Sequence, residues 1–148
     1  MGFELETKIL KNQKGTSIVE FAIILPLLLM LIFGILEFGV MFYDRQVITN
    51  ASREGARAGI VQALTRPTPG EIAVVVQTYC NNRLFNLGGP RNLTISVTTN
   101  GNPTGCANFA EDLRVSVTFP YDFLIFSRLI SAFGNTINLT ADTIMKCE

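Results

Sequence analysis

The sequence predicts an α+β protein: a long N-terminal transmembrane helix that continues into a small outer domain with an antiparallel sheet of about three strands. Three observations predict it. Phe21 to Leu36 is a run of sixteen residues without a charge. Small and apolar residues then recur at helical spacing beyond Tyr43. Further on, Leu93–Val97 and Leu113–Phe119 alternate apolar and polar residues, as half-buried strands do.

The bulk numbers bound the function. The chain has 148 residues, 48% of them hydrophobic, with twelve acidic and twelve basic side chains and no His. That is enough for one modest domain outside the membrane. Zero net charge without a Lys/Arg run argues against nucleic acid. Absence of His removes most zinc sites, haem ligation and His-based general-base catalysis. No phosphate loop, nucleophile elbow or recognisable carboxylate pair is present, so neither enzyme activity nor a cofactor or metal is expected.

As a helix, the uncharged run is about 24 Å long at ~1.5 Å per residue. Ile18 and Val19 before it, and Phe38 to Tyr43 after it, extend it enough to cross a hydrocarbon core of ~30 Å. The transmembrane segment is therefore placed at residues 16–43, with Tyr43 as an interfacial anchor. Lys8, Lys11 and Lys14 precede it and favour an inside N-terminus. Arg45, Arg53 and Arg57 follow it and oppose that reading, but the leading helix usually sets topology. Glu20 and Glu37 lie near opposite edges of the span. A carboxylate there is expensive enough to be a functional candidate. Glu37 is read as interfacial and solvated, with Arg45 or a partner helix as the other options. Pro26 sits inside the span, where it removes one backbone hydrogen bond and marks a kink or hinge.

The helix is expected to continue over about 44–64. Ala51, Gly55 and Gly59 form a small-xxx-small ridge. A mid-helix Gly costs ~1 kcal/mol relative to Ala, so two of them suggest close approach by another backbone. Tyr43, Val47, Ala58 and Val61 extend that face, with Asp44, Arg53, Glu54 and Arg57 mostly on the other. Thr68 and Pro69 read as N-cap and first residue of a second helix over about 69–85. Strands are predicted over about 92–99, 111–119 (ended by Pro120) and 136–146, with a hairpin-type loop at 100–108. The apolar residues of 123–133 read as a short helix or a loop on the domain.

Cys80, Cys106 and Cys147 all lie outside the span, consistent with an oxidising compartment. They allow one pair and one thiol left over. Cys80–Cys106 is favoured, because a loop often clips onto a helix; Cys106–Cys147 is the alternative.

An ordered set of short motifs adds a resemblance. Lys14-Gly15-Thr16 with Glu20-Phe21 resembles a class of type IV prepilin cleavage sites. Glu20-Phe-Ala-Ile-Ile-Leu-Pro26, Gly34-Ile-Leu-Glu37-Phe38-Gly39 and Asn50-Ala-Ser-Arg-Glu-Gly-Ala-Arg57 are similar to the TadE family, minor pseudopilins of the tight-adherence (Flp pilus) system. The likeness covers roughly residues 14–60. It implies a cytoplasmic leader at 1–15, cut between Gly15 and Thr16 by a membrane prepilin peptidase. It also implies a pilin-like outer domain over 44–148, and partnership with other pilin or pseudopilin subunits, the assembly platform and membrane lipid. Glu20 would then pair with the freed amine of Thr16, on its own or a neighbouring subunit. The physics agrees, since two opposite charges stranded at a lipid edge relieve each other's desolvation. A signal-anchored scaffolding or binding protein that is never cut is the alternative class.

Overall fold

The computed structural model describes residues 3–61, 66–81, 83–85, 92–123 and 136–148, with side chains from residue 15 onward. Helix α1 is Phe3–Ile60 and α2 is Pro69–Asn81; the strands are β1 Thr94–Thr99, β2 Asp112–Asp122 and β3 Thr136–Lys146. The chain divides into two units, residues 1–36 and 37–148. The apolar helix, the second helix and the three-stranded antiparallel sheet make it α+β, as the sequence predicts.

In the first unit, α1 is long and apolar enough to cross a membrane. Its large side chains face outward: Ile23 is 70% exposed and Leu27 69%. Such a surface suits an apolar surround. Pro26 is held inside the helix, which continues past it. Membrane-type helices tolerate the lost bond because local helix adjustment, waters or neighbouring helices re-satisfy the freed carbonyl.

The second unit is built on β2. The sheet order is β1-β2-β3, with both pairings antiparallel. On β2, Leu113, Val115, Val117, Phe119 and Tyr121 are all buried, while the alternate residues face outward. That alternation puts one face of the sheet against helices and the other toward solvent. Residues 37–60 of α1 and α2 supply the other side of the core through Val47, Ile48, Ala51, Ile72 and Val76.

Several boundaries differ from the sequence reading. α1 ends at Ile60, and residues 62–65 lie outside the described set. α2 ends at Asn81 rather than near Phe85. The Arg83 and Leu84 N–H groups close that end on the Cys80 carbonyl at 3.1 and 2.9 Å. β2 runs through Pro120 to Asp122. β1 reaches only Thr118, so beyond it β2 keeps one neighbouring strand, and a ring without an N–H is tolerated there. The apolar run expected over 123–133 lies outside the described residues beyond Phe123.

α2 starts as predicted. Thr68 N–H donates to Glu71 Oε2 at 2.7 Å, and Glu71 N–H donates to Thr68 Oγ1 at 3.3 Å. This reciprocal capping box satisfies two donors that the first turn would otherwise leave open. The same hydrogen bonds, the Thr68 backbone one foremost, hold the Glu71 carboxyl below its ordinary range.

Candidate functional site

The residues singled out by sequence fall into two groups, one in each unit. In the first, Gly15, Thr16 and Glu20 are all exposed on α1. A Cβ added at Gly15 would meet nothing within 4 Å. Gly15 and Thr16 are both exposed among the described residues. Glu20 lies about one and two-thirds turns before Pro26 on the same helix.

In the second unit, Ala51, Gly55 and Gly59 form the seam where α1 enters the core. Ala51 is fully buried. A Cβ added at Gly55 would overlap Val76 Cγ2 and stand 3.5 Å from Val115 Cγ1. At Gly59 it would stand 2.5 Å from Leu113 Cδ2 and 2.8 Å from Ile72 Cδ1. The ridge therefore packs on this chain's own α2 and β2. Ser52, fully buried beside it, donates to the Thr49 carbonyl at 2.9 Å and shares a hydrogen bond with Thr143 of β3 at 2.7 Å.

Two carboxylates depart from the sequence reading. Glu37 is 4% exposed rather than solvated, and its carbonyl accepts the Tyr121 hydroxyl at 3.2 Å. Tyr121 and Phe38 each meet Phe123 edge-on, at 5.4 and 6.4 Å between ring centres. Asp44 is fully buried rather than on the solvated side, and its Oδ1 accepts the Phe85 N–H at 2.9 Å. It thereby satisfies the backbone just past α2. Within the second unit the buried face of α1 is thus 37, 44, 47–48, 51–52, 55–56 and 59, whereas Tyr43 and Val61 are more than half exposed. Burial foremost, and then the Glu37 and Asp44 charges, push the Tyr121 hydroxyl up to about 12.

The favoured cysteine pairing is corrected. The disulfide joins Cys106 to Cys147, with Cα atoms 5.8 Å apart, and Cys80 stays a buried thiol. The 100–111 loop runs alongside the end of β3. Ala110 N–H donates to the Cys147 carbonyl at 2.9 Å, and Cys147 N–H to the Glu111 carbonyl at 2.8 Å. Cys80 sits on the inner face of α2, away from that ladder, and burial pushes its thiol up to about 11. It is protonated and unreactive at neutral pH.

Among the described residues, no group of His, Cys, Asp and Glu is arranged to hold a metal ion. What the site offers is helix surface: an exposed apolar rod with one early carboxylate, and a small-residue seam that fixes residues 37–60 to a sheet.

Of three comparisons with known proteins, one finds a likeness. Neither the curated proteins nor the solved structures gave a match. Residues 15–57, from the Gly before the apolar rod to the small-residue seam, match the family model described as TadE-like protein, so this N-terminal stretch is similar to that family.

Proposed function

We propose that this chain is a pseudopilin-like structural subunit of a tight-adherence (Flp) pilus machinery. It is inserted in the inner membrane as a single pass, N-terminus inside, and is cut by a prepilin peptidase between Gly15 and Thr16. The observation that carries the reading is the TadE-like match, which opens at Gly15, the residue the cleavage reading requires. Exposure of Gly15 and Thr16 on the helix supports it, because a peptidase needs an unobstructed backbone.

After cleavage the Thr16 amine and the Glu20 carboxylate neutralise each other at the lipid edge. Between neighbouring subunits that pair fixes one axial register of packed helices. The partners are the peptidase, other pilin or pseudopilin subunits, the assembly platform and membrane lipid. The chain performs no catalysis of its own.

The N-terminal residue of the membrane-bound protein tests this. Thr16 at the start supports the reading; Met1 retained in fully assembled, active material overturns it and leaves the signal-anchored scaffold. Glu20→Ala then separates the two steps: cleavage persists and assembly is lost. If assembly survives unchanged, the amine–carboxylate pairing is wrong.

A further inference from the structure

Two surface features of the outer unit are unused by everything above, and they complement each other. The first is Phe109, 80% exposed. A single apolar side chain on a surface is ordinary. The backbone beneath this one is not. The Glu111 carboxylate accepts the Ala107 and Asn108 N–H groups at 3.1 and 3.0 Å and the Asn108 side-chain amide at 2.8 Å. Ala110 is held at φ 65°, a conformation uncommon for a residue with a Cβ. The Cys106–Cys147 bond and the Ala110–Cys147 and Cys147–Glu111 hydrogen bonds fasten the loop to the sheet. A ring on a backbone fixed in this way gives up little freedom when a partner binds, as a strong interface anchor requires.

The second feature is a hollow of about 370 Å³ lined by Thr98, Asn100, Gly101, Asp112, Arg114 and Ile144. It lies on the outward face of the sheet, where Thr98, Arg114 and Ile144 stand side by side on the three strands. Asp112 is engaged by Lys146 Nζ at 2.8 Å, and Arg114 has no acidic partner among the described residues. Ile144 is 52% exposed. A guanidinium plane beside an apolar wall suits the face of an aromatic ring.

We propose that Phe109 of one copy of this chain seats in the hollow of a second copy, its ring against Ile144 and the Arg114 guanidinium. The 100–111 loop carries both Phe109 and the Asn100–Gly101 rim of the hollow, so donor and acceptor occupy the same end of the sheet. That arrangement permits reciprocal contact about a two-fold axis. A formal net charge of zero adds no overall repulsion between copies. The contact belongs to the outer unit and does not depend on trimming at Gly15.

The test places a photoreactive benzophenone side chain at position 109 of the full chain, in membranes that hold a mixture of isotopically light and heavy copies. Illumination is expected to give a dimer whose light–heavy linked peptides join position 109 to the strand of Arg114 or Ile144. Arg114→Ser is expected to cut the dimer yield about fivefold, and Ile144→Asp is expected to cut it too. Both side chains face outward, and an unchanged melting temperature verifies that each variant folds; Arg114→Ser suffices should Ile144→Asp not. Adducts only within one copy, only with lipid or only with a different protein overturn the proposal. So does a dimer yield indifferent to Arg114→Ser in the folded protein.

Discussion

Gly55→Ala puts the seam between α1, α2 and β2 to a quantitative test. The new methyl overlaps Val76 Cγ2, with Val115 Cγ1 at 3.5 Å and Ile72 Cγ2 at 3.6 Å closing the space around it. Val76 is fully buried and β-branched, so its χ1 is nearly fixed within α2 and the helices must separate instead. Overpacking of this kind costs ~1–3 kcal/mol. Helix propensity opposes it, since Ala in place of Gly contributes ~1 kcal/mol. The steric cost wins, by about 1 kcal/mol. For a unit of this size that is roughly 4 °C in melting temperature. Gly39→Ala is the control: its Cβ meets nothing within 4 Å, so only the propensity gain remains. Gly55→Leu places three further carbons in the same gap and is expected to cost more than ~4 kcal/mol. Pulse proteolysis of the full chain in detergent micelles, over a temperature series, measures all three. Gly55→Ala as stable as Gly39→Ala would refute the close-packing argument.

Three further outcomes follow from the same core. The Tyr121 hydroxyl titrates at about 12 in the fold, against ~10 unfolded, so its stabilisation is full below pH ~10 and is lost as pH rises toward 12. Tyr121→Phe is expected to lose about 1 kcal/mol at neutral pH and to flatten the alkaline limb of a pH–melting curve. The Cys106–Cys147 bond spans a sequence separation of 41, which the chain-entropy model values at about 4 kcal/mol. Reductant is therefore expected to lower the melting temperature by roughly 15–20 °C, read by calorimetry with and without it. Thr68→Ala removes one side of the capping box and should cost about 1 kcal/mol in chemical denaturation, while Thr68→Ser should largely keep it.

Much of this architecture was legible in the residues, and the exceptions have physical causes. Alternation along Leu113–Phe119 located β2, since period two has no helical counterpart. Thr68-Pro69 located the start of α2 because capping is local chemistry. The Gly55 and Gly59 ridge pointed to close packing on entropy grounds alone. Asp44 and Glu37 were misread because polarity argues for solvent. Only the fold reveals that the Phe85 N–H meets the Asp44 carboxylate and that the Tyr121 hydroxyl docks on the Glu37 carbonyl. The disulfide was misassigned for a similar reason. Which cysteines meet depends on how the loop pairs with β3, and no spacing encodes that. Pro120 inside β2 became tolerable only because β1 stops short of it. Phe109 and the Arg114 hollow were not read from sequence at all: a lone Phe in a loop and a lone Arg in a strand carry no pattern.

The seam at Gly55 and Gly59 also bears on the order of folding. A helix contiguous with an apolar run satisfies its backbone internally from the moment that run enters lipid. Residues 37–60 continue the same helix without a break, so their helical backbone needs no partner from the strands to close its own hydrogen bonds. Val115 must travel across sixty residues of sequence to reach Gly55, a closure that is slow for a free chain. A helix face with no side chains at positions 55 and 59 leaves Val76, Ile72 and Leu113 room to dock closely once the strands arrive.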